Sequence, residues 1–421
     1  MWRTSLPPPG FSAVAAGTRG APGGLIGKRA HAMTPKKILL LSVSAGAGHS
    51  RAAEAVRCAA EAHRSPITAL HLDVLQYAPA GFRQLHTDFY IHLLNKYPAI
   101  WAPLYQITHE ARPRSSPQKL RRVIERLNMR GLLKKIAGFA PDAILCTHFL
   151  PAEILSVTIG KSQLACPVWV QITDFGMHRM WVQEHMTGYF AANREVAFRL
   201  GAAGVAPERI HVTGIPVMPG FAPAFGAALT PDSADGRPSL LLMGGGAGLG
   251  RLDLIAARLL AIEADFGLVA VAGSNKQVLT ALQALAGRHP DRLTVHGYTQ
   301  QVQALMAGAD LVITKPGGLT TSECLAIGVP MLLNTAIPGQ EERNADYLLE
   351  QGVALKAHDE LGLQFRVREL LANPAELAAM GRRAQALGRP WAAGAVLDTM
   401  LAYCQSRSTP LPRASARATR A

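Results

Sequence analysis

The residues best suited to chemistry lie in a few clusters punctuated by glycine or rich in polar side chains. In the run Thr314-Lys-Pro-Gly-Gly-Leu-Thr-Thr-Ser-Glu-Cys-Leu-Ala-Ile-Gly-Val-Pro330, Gly317 and Gly318 let backbone N–H groups face an anion with no Cβ in the way. The helix that follows turns the positive end of its dipole to the same place. Such a turn suits a diphosphate, with Gly317, Gly318, Leu319 and Thr320 as its contacts. Glu323, early on that helix, can accept hydrogen bonds from two vicinal ribose hydroxyls; the plainer alternative is a tight turn with Glu323 as a dipole partner. Downstream, Pro338-Gly-Gln-Glu-Glu-Arg-Asn-Ala-Asp346 follows a strand end, where open α/β sheets bind ligands. Gln340, Glu341 and Asn344 are therefore candidates for hexose hydroxyls, against a helix-capping alternative.

Near the start, Ser42-Val-Ser-Ala-Gly-Ala-Gly-His-Ser-Arg-Ala-Ala-Glu54 places His49 at the opening of a helix, after Gly46 and Gly48. A neutral imidazole there can take the proton from an alcohol as it attacks, so His49 is the expected general base; a surface or capping histidine is the alternative. Gly46, Gly48 and His148 are expected on the acceptor side. In Thr173-Asp-Phe-Gly-Met-His-Arg-Met-Trp181, Asp174 is the second expected catalytic group, orienting His49 or a substrate hydroxyl. Purely structural roles stay open for Asp174 and His148. No Asp-x-Asp pair occurs, so the usual carboxylate grip on a metal-bound diphosphate is missing. Neither metal nor cofactor is expected, and the helix dipole must stabilise the leaving group.

These clusters need elements that hold them. The apolar run 37–43 reads as a parallel strand buried on both faces, followed by a glycine turn and a helix over 52–63. Short β-branched or leucine-rich runs recur at 67–72, 143–146, 168–172 and 210–212, separated by helical stretches such as 194–200. From 215 to 238 the chain turns to Pro, Gly, Ala and Ser, and periodicity disappears. The pattern then restarts with a strand at 239–243, a second glycine loop at 244–250, a helix over 251–264, and strands at 268–271, 293–295, 311–313 and 331–334. Gly244, Gly245, Ser274 and Tyr298, which follow the first strands of this half, complete the expected contacts to the diphosphate-bearing ligand. The chain is thus α/β, with two doubly wound Rossmann-like domains facing a central cleft. The expected division is 1–35 a disordered extension, 36–215 the acceptor-binding domain, 216–238 the linker, 239–404 the UDP-sugar domain and 405–421 a disordered basic tail.

At 421 residues, 49% hydrophobic and 17% charged, the composition is that of a two-domain globular protein. No stretch reaches the roughly 18 apolar residues of a membrane span, and the first thirty residues lack the apolar core of a secretory signal. A cytoplasmic protein is expected, with translation starting at Met1 or Met33. The five cysteines are scattered and read as reduced and mostly buried. Of the net charge of +14, eight units sit in residues 1–32 and 405–421, and residues 111–135 carry nine Lys/Arg against Glu125 alone. That segment is a surface for anionic lipid, a nucleic-acid patch or a solvated helix face. Tyr77, Phe82, Phe89, Tyr90, Tyr97, Trp101 and Tyr105, just upstream, fit a bilayer interface, an acyl-chain groove or a core. No nucleic-acid recognition module is visible, so that class is excluded, and no protein partner is evident.

With these pieces placed, the chain resembles glycosyltransferase family 28, and within it the monogalactosyldiacylglycerol synthases and processive diacylglycerol glucosyltransferases. The likeness covers about residues 36–400. It rests on Gly46-Ala-Gly-His49 with Arg51-Ala-Ala-Glu54, Thr173-Asp174-Phe175 with His178 and Trp181, Thr213-Gly-Ile-Pro216, Thr314 through Glu323, and Pro338-Gly-Gln340. The resemblance implies the GT-B fold and an inverting, metal-independent transfer of a hexose from UDP-glucose or UDP-galactose to a lipid acceptor such as diacylglycerol. It implies a peripheral enzyme on the anionic inner face of the cell membrane. It places His49 near the acceptor hydroxyl, Gly317, Gly318 and Thr320 on the diphosphate, Glu323 on the ribose and Gln340 on the sugar. Ala47 departs from the Gly-Gly-Gly-His form of the plant synthases. The rival reading is a non-hydrolysing UDP-sugar epimerase, which uses two similar domains but needs no lipid surface.

Overall fold

The computed structural model describes residues 35–44, 47–78, 130–222, 236–246, 251–334 and 339–408. The apolar run at the start forms β1 (Lys36–Ser42), inside a six-stranded sheet ordered β2-β1-β3-β4-β5-β6. Leu39 and Leu41 join one core cluster with Ile144 and Val170. Ile38 and Leu40 join another, on the opposite face, with Ala53, Val56 and Val396. Both faces are covered, so the strand has no polar alternation. Its partners β2 (Ile67–Asp73), β3 (Ala143–Cys146), β4 (Val168–Gln171), β5 (Gly188–Ala191) and β6 (Ile210–Val212) all pair in parallel. Strand β5 is not expected from the sequence. Its opening glycine, a weak strand former, is required because a Cβ on Gly188 would lie 2.3 Å from the Trp169 ring.

The second sheet, also of six parallel strands, runs β12-β11-β10-β7-β8-β9. It comprises β7 (Ser239–Met243), β8 (Gly267–Val271), β9 (Leu293–His296), β10 (Leu311–Thr314), β11 (Met331–Leu333) and β12 (Ala354–Lys356), the last not expected from the sequence. The described helices are α1 (Ala47–Glu61), α2 (Arg130–Phe139), α3 (Phe149–Gly160), α4 (Arg194–Ala202), α5 (Leu252–Leu260), α6 (Lys276–Ala286), α7 (Val302–Ala307), α8 (Gly318–Ile327), α9 (Gln340–Glu350), α10 (Glu360–Ala372), α11 (Pro374–Leu387) and α12 (Ala392–Ser408).

Each sheet reverses its winding beside its first strand, β1 lying between β2 and β3 and β7 between β8 and β10. Ligand crevices in open α/β sheets lie at such switch points, outside the carboxyl ends of the strands. The chain that leaves β1, β3, β7 and β10 leads to His49, His148, Gly244 and Gly317.

The closing helix α12 does not stay with the second sheet. Ala393, Val396, Leu397, Met400, Leu401 and Cys404 form an apolar stripe that completes the core over β1, with Cys404 donating to the Asp142 carbonyl at 3.6 Å. Residues 392–404 therefore pack with the first sheet although they follow the second in sequence. The helix also continues past 404, to Ser408.

None of the five cysteines forms a disulfide; Cys146, Cys324 and Cys404 are buried and the other two partly exposed. The aromatic and basic stretch at 77–135 falls mostly outside the described residues. Its last part forms α2, which buries Leu132 and Ile136 and exposes Arg130, Lys134 and Lys135. No described helix is long and apolar enough to cross a membrane.

Candidate active site

His49 is the third residue of α1. Its Nδ1 lies 2.9 Å from the Thr147 carbonyl oxygen and 2.9 Å from Thr173 Oγ1, while the Thr147 hydroxyl donates back to the His49 carbonyl at 2.9 Å. A carbonyl only accepts, so the imidazole proton belongs on Nδ1 and the lone pair on Nε2. Burial pushes the His49 pKa down to about 4, against the raising effect of the Thr147 bond. The ring is therefore neutral at physiological pH, with a proton-accepting nitrogen.

The neighbouring His148 meets His49 edge to face at 4.6 Å. It caps α3, its Nδ1 accepting from Leu150 N–H at 3.1 Å. The expected acceptor-side group is thus also a helix cap. Trp181 closes this side, 6.2 Å from His49 and 6.3 Å from His148. Gly48 stands at the same helix start, where a Cβ would lie 3.6 Å from Leu319 Cβ. Gly46 lies outside the described residues.

Across the cleft, α8 begins at Gly318, and its first intrahelical bond runs from Thr321 N–H to the Gly317 carbonyl at 3.0 Å. The N–H groups of Gly318, Leu319 and Thr320 precede it and are available to an anion, at an end that carries about half a positive charge. Gly318 is held to glycine by more than anion access, since a Cβ there would lie 2.2 Å from the Thr173 carbonyl oxygen. Glu323 is buried, and burial raises its carboxyl pKa to about 7 despite the opposing charge of Arg51.

The second glycine loop comes to the same place. Gly245 has φ +77, and a Cβ on Gly246 would lie 3.4 Å from Ala47 Cβ, at the start of α1. Ser274 braces this loop, its hydroxyl donating to the Gly246 carbonyl at 3.1 Å. Tyr298, just beyond β9, is 68% exposed.

Asp174 departs most from expectation. His49 is met by Thr173, not by Asp174, whose carboxylate turns to the second half of the chain. There Oδ2 accepts from Gln340 Nε2 at 2.6 Å and Oδ1 from Asn344 Nδ2 at 3.2 Å. Asp174 is buried and its pKa is raised to about 6, chiefly by desolvation, with the two amides opposing and Glu341 adding to it. Asn344 also accepts from Phe175 N–H at 2.8 Å and donates to the Pro316 carbonyl at 3.1 Å. Its amide thus has partners within the protein on both its oxygen and its nitrogen. Glu341 accepts from Lys315 Nζ at 2.6 Å, so it too has an internal partner. Phe175 stacks on Tyr347 with ring centroids 4.9 Å apart, and Arg343 donates to the Met177 carbonyl at 3.3 Å.

Thr147, Thr173 and Lys315 are residues of this site that the sequence reading missed. Thr173 and Lys315 lie inside motifs already singled out, each at a strand end. Thr147 carries no local signal beyond following β3.

Residues 49–217 match the family described as monogalactosyldiacylglycerol (MGDG) synthase, and residues 240–393 match the glycosyltransferase family 28 C-terminal domain. A processive diacylglycerol beta-glucosyltransferase from Bacillus pumilus (strain SAFR-032) is 26% identical over 378 residues, covering 87% of this chain and 95% of that protein. The enzyme of the same description from Bacillus mycoides (strain KBAB4) is 30% identical over 278 residues, covering 65% of this chain and 70% of the relative. Among solved structures, MurG of Acinetobacter baumannii superposes with a TM-score of 0.58 at 18% identity, covering 87% of this chain and all of that one, which shows the shared fold.

Proposed function

Since this chain belongs to glycosyltransferase family 28, with the monogalactosyldiacylglycerol synthases and processive diacylglycerol glucosyltransferases, we propose that it moves a hexose from a UDP-sugar to diacylglycerol with inversion and without a metal. The coarser statement, a UDP-sugar hexosyltransferase of the GT-B fold, is the premise. The finer steps are our reading of the residues. The observation that carries them is His49, its Nδ1–H tied to the Thr147 carbonyl, opening α1 directly opposite the start of α8.

In this reading the acceptor hydroxyl oxygen attacks C1 of the hexose from the face opposite the diphosphate. The C1–O bond to the β-phosphate breaks, its electrons leave with UDP, and the hydroxyl proton passes to His49 Nε2. Base catalysis of this kind contributes typically 10²–10⁴-fold. The N–H groups of Gly318, Leu319 and Thr320 receive the charge that develops on UDP. Lys315, beside them in sequence, adds a cation, and Glu323 takes the ribose hydroxyls. An exposed basic face on α2 supports docking to the anionic inner surface of the cell membrane. The epimerase reading is not favoured, because the sequence relatives are named as transferases.

The test is to incubate the protein with UDP-glucose or UDP-galactose and diacylglycerol vesicles, with and without a chelator, and to assign the product's anomeric configuration by NMR. A β-glycoside formed with acceptor-dependent release of UDP, unchanged by chelation, is expected. An α-product would overturn inversion, loss of rate on chelation would overturn metal independence, and epimerised UDP-sugar formed without lipid would restore the rival.

A further inference from the structure

The contacts around residues 173–177 join the two sheets through adjacent side chains that face opposite halves of the cleft. We propose that Thr173 and Asp174 form a two-sided positioning element, Thr173 setting the ring of His49 and Asp174 setting the amide of Gln340, so that base and donor-sugar contact are held in one register. This rests on the UDP-hexose reading above and adds to it the residues that couple its two sites.

On one side, Thr173 Oγ1 shares the Nδ1–H of His49 with the Thr147 carbonyl, at 2.9 Å each. Both partners lie on the same edge of the ring, so they select one tautomer and leave the lone pair on Nε2. On the other side, Asp174 Oδ2 lies 2.6 Å from Gln340 Nε2. An ionised carboxylate only accepts, so the Gln340 amide is obliged to turn its NH₂ toward Asp174. Its carbonyl oxygen is then left as an acceptor for a hydroxyl donor on the sugar. Asn344 has no such freedom. Its oxygen takes Phe175 N–H and its nitrogen serves Asp174 and the Pro316 carbonyl, so it acts as the tether that fixes Asp174 in place.

A purely cohesive role explains Asp174 poorly. The interface already has the Phe175–Tyr347 stack and the Arg343 bond to Met177. A buried carboxylate adds little net cohesion, because its desolvation offsets its bonds, whereas it orients its donors strictly. The backbone supports the same register: the Thr173 carbonyl crosses α8 so closely that only glycine fits at 318. The element therefore touches the base, the expected diphosphate helix and the expected sugar contact together.

The experiment compares wild type with Asp174→Asn, Thr173→Val and Thr173→Ser, measuring Kd for UDP and for UDP-glucose, kcat, KM and Tm. Asp174→Asn places an amide N–H against the Gln340 or Asn344 N–H. Its UDP affinity should stay within about twofold while the extra affinity for UDP-glucose over UDP is lost and KM rises about tenfold, one lost hydrogen bond at 1.4 kcal/mol per decade. Thr173→Val should keep both affinities and lose about tenfold in kcat, and Thr173→Ser should restore it. If Asp174→Asn instead lowered kcat a hundredfold at constant KM, Asp174 would be a base and the proposal would fail. A lower Tm with an unchanged UDP-glucose to UDP affinity ratio would also overturn it, as cohesion alone. A wild type that binds no UDP would sink the functional reading and this inference together; a wild type that binds UDP, with variants indistinguishable from it, would sink only this inference.

Discussion

The starts of α1 and α8 are alike in holding glycine and following a strand at the switch point of its sheet, yet burial acts there on groups of opposite charge. The α1 start carries an imidazole that burial lowers to a pKa of about 4, and α8 carries a carboxyl that burial raises to about 7. Desolvation drives both toward the neutral form. In the proposed reading neutrality is the active state of His49 as a base, and for Glu323 it is a resting state that a bound ribose changes. On that reading the same scaffold serves as a proton acceptor or as an anion and ribose seat according to which side chain its first turns carry.

The largest effect should come from removing the base. His49→Ala is expected to reduce transfer at least about a hundredfold while UDP affinity remains within about twofold, because the proposed nucleotide contacts lie on α8. Rates measured against pH sharpen this. The neutral imidazole is the active form, so its acid limb lies near pH 4. Asp174, needed ionised and with a pKa of about 6, should set an earlier fall as pH drops through 6. Full activity in the His49 variant would leave the two helix starts chemically equivalent.

Next comes the carboxyl on α8. Glu323→Gln should weaken UDP-glucose binding by roughly tenfold or more, the range of a hydrogen bond to a charged group. Ribose hydroxyls that donate to the carboxylate lower its raised pKa, so binding at pH 6 should release a proton in the wild type and none in the variant. Calorimetry in buffers of different ionisation enthalpy reads this directly, and UDP-glucose is the probe because its diphosphate does not titrate there. Proton uptake, or no linkage, would exclude Glu323 from the ribose.

Gly318→Ala tests whether the two starts must touch. The added Cβ meets backbone rather than a yielding side chain, so the strain should be about 1–3 kcal/mol, seen as a lower Tm together with weaker UDP binding. An unaltered Tm would mean that the halves separate freely at this point. The smallest effect is on the surface. Lys134→Gln with Lys135→Gln should weaken binding to anionic vesicles severalfold, at about 1 kcal/mol per charge or less, with a loss that shrinks as salt rises. Equal binding at low salt would make the α2 face a solvated one.

Much of this was legible in the chain. The alternation of apolar runs with glycine turns and helices, the placement of His49 and Gly318 at helix starts, and the doubly wound order all follow from local rules, in which a strand buried on both faces shows as an unbroken apolar run. The short strands β5 and β12 were not; in β5 the opening glycine, a weak strand former, is set by the Trp169 ring. The tertiary structure alone decided the partners. His49 meets a threonine 124 positions away, and Asp174, expected to orient His49 or a substrate hydroxyl, meets an amide 166 positions away. The α12 stripe likewise was readable as an apolar helix face, but its partner β1 lies at the other end of the chain. Local sequence sets what a segment can form and which groups it offers. Which buried groups satisfy one another depends on the packing of the two sheets, and a carboxylate enclosed there takes whichever donors that packing supplies.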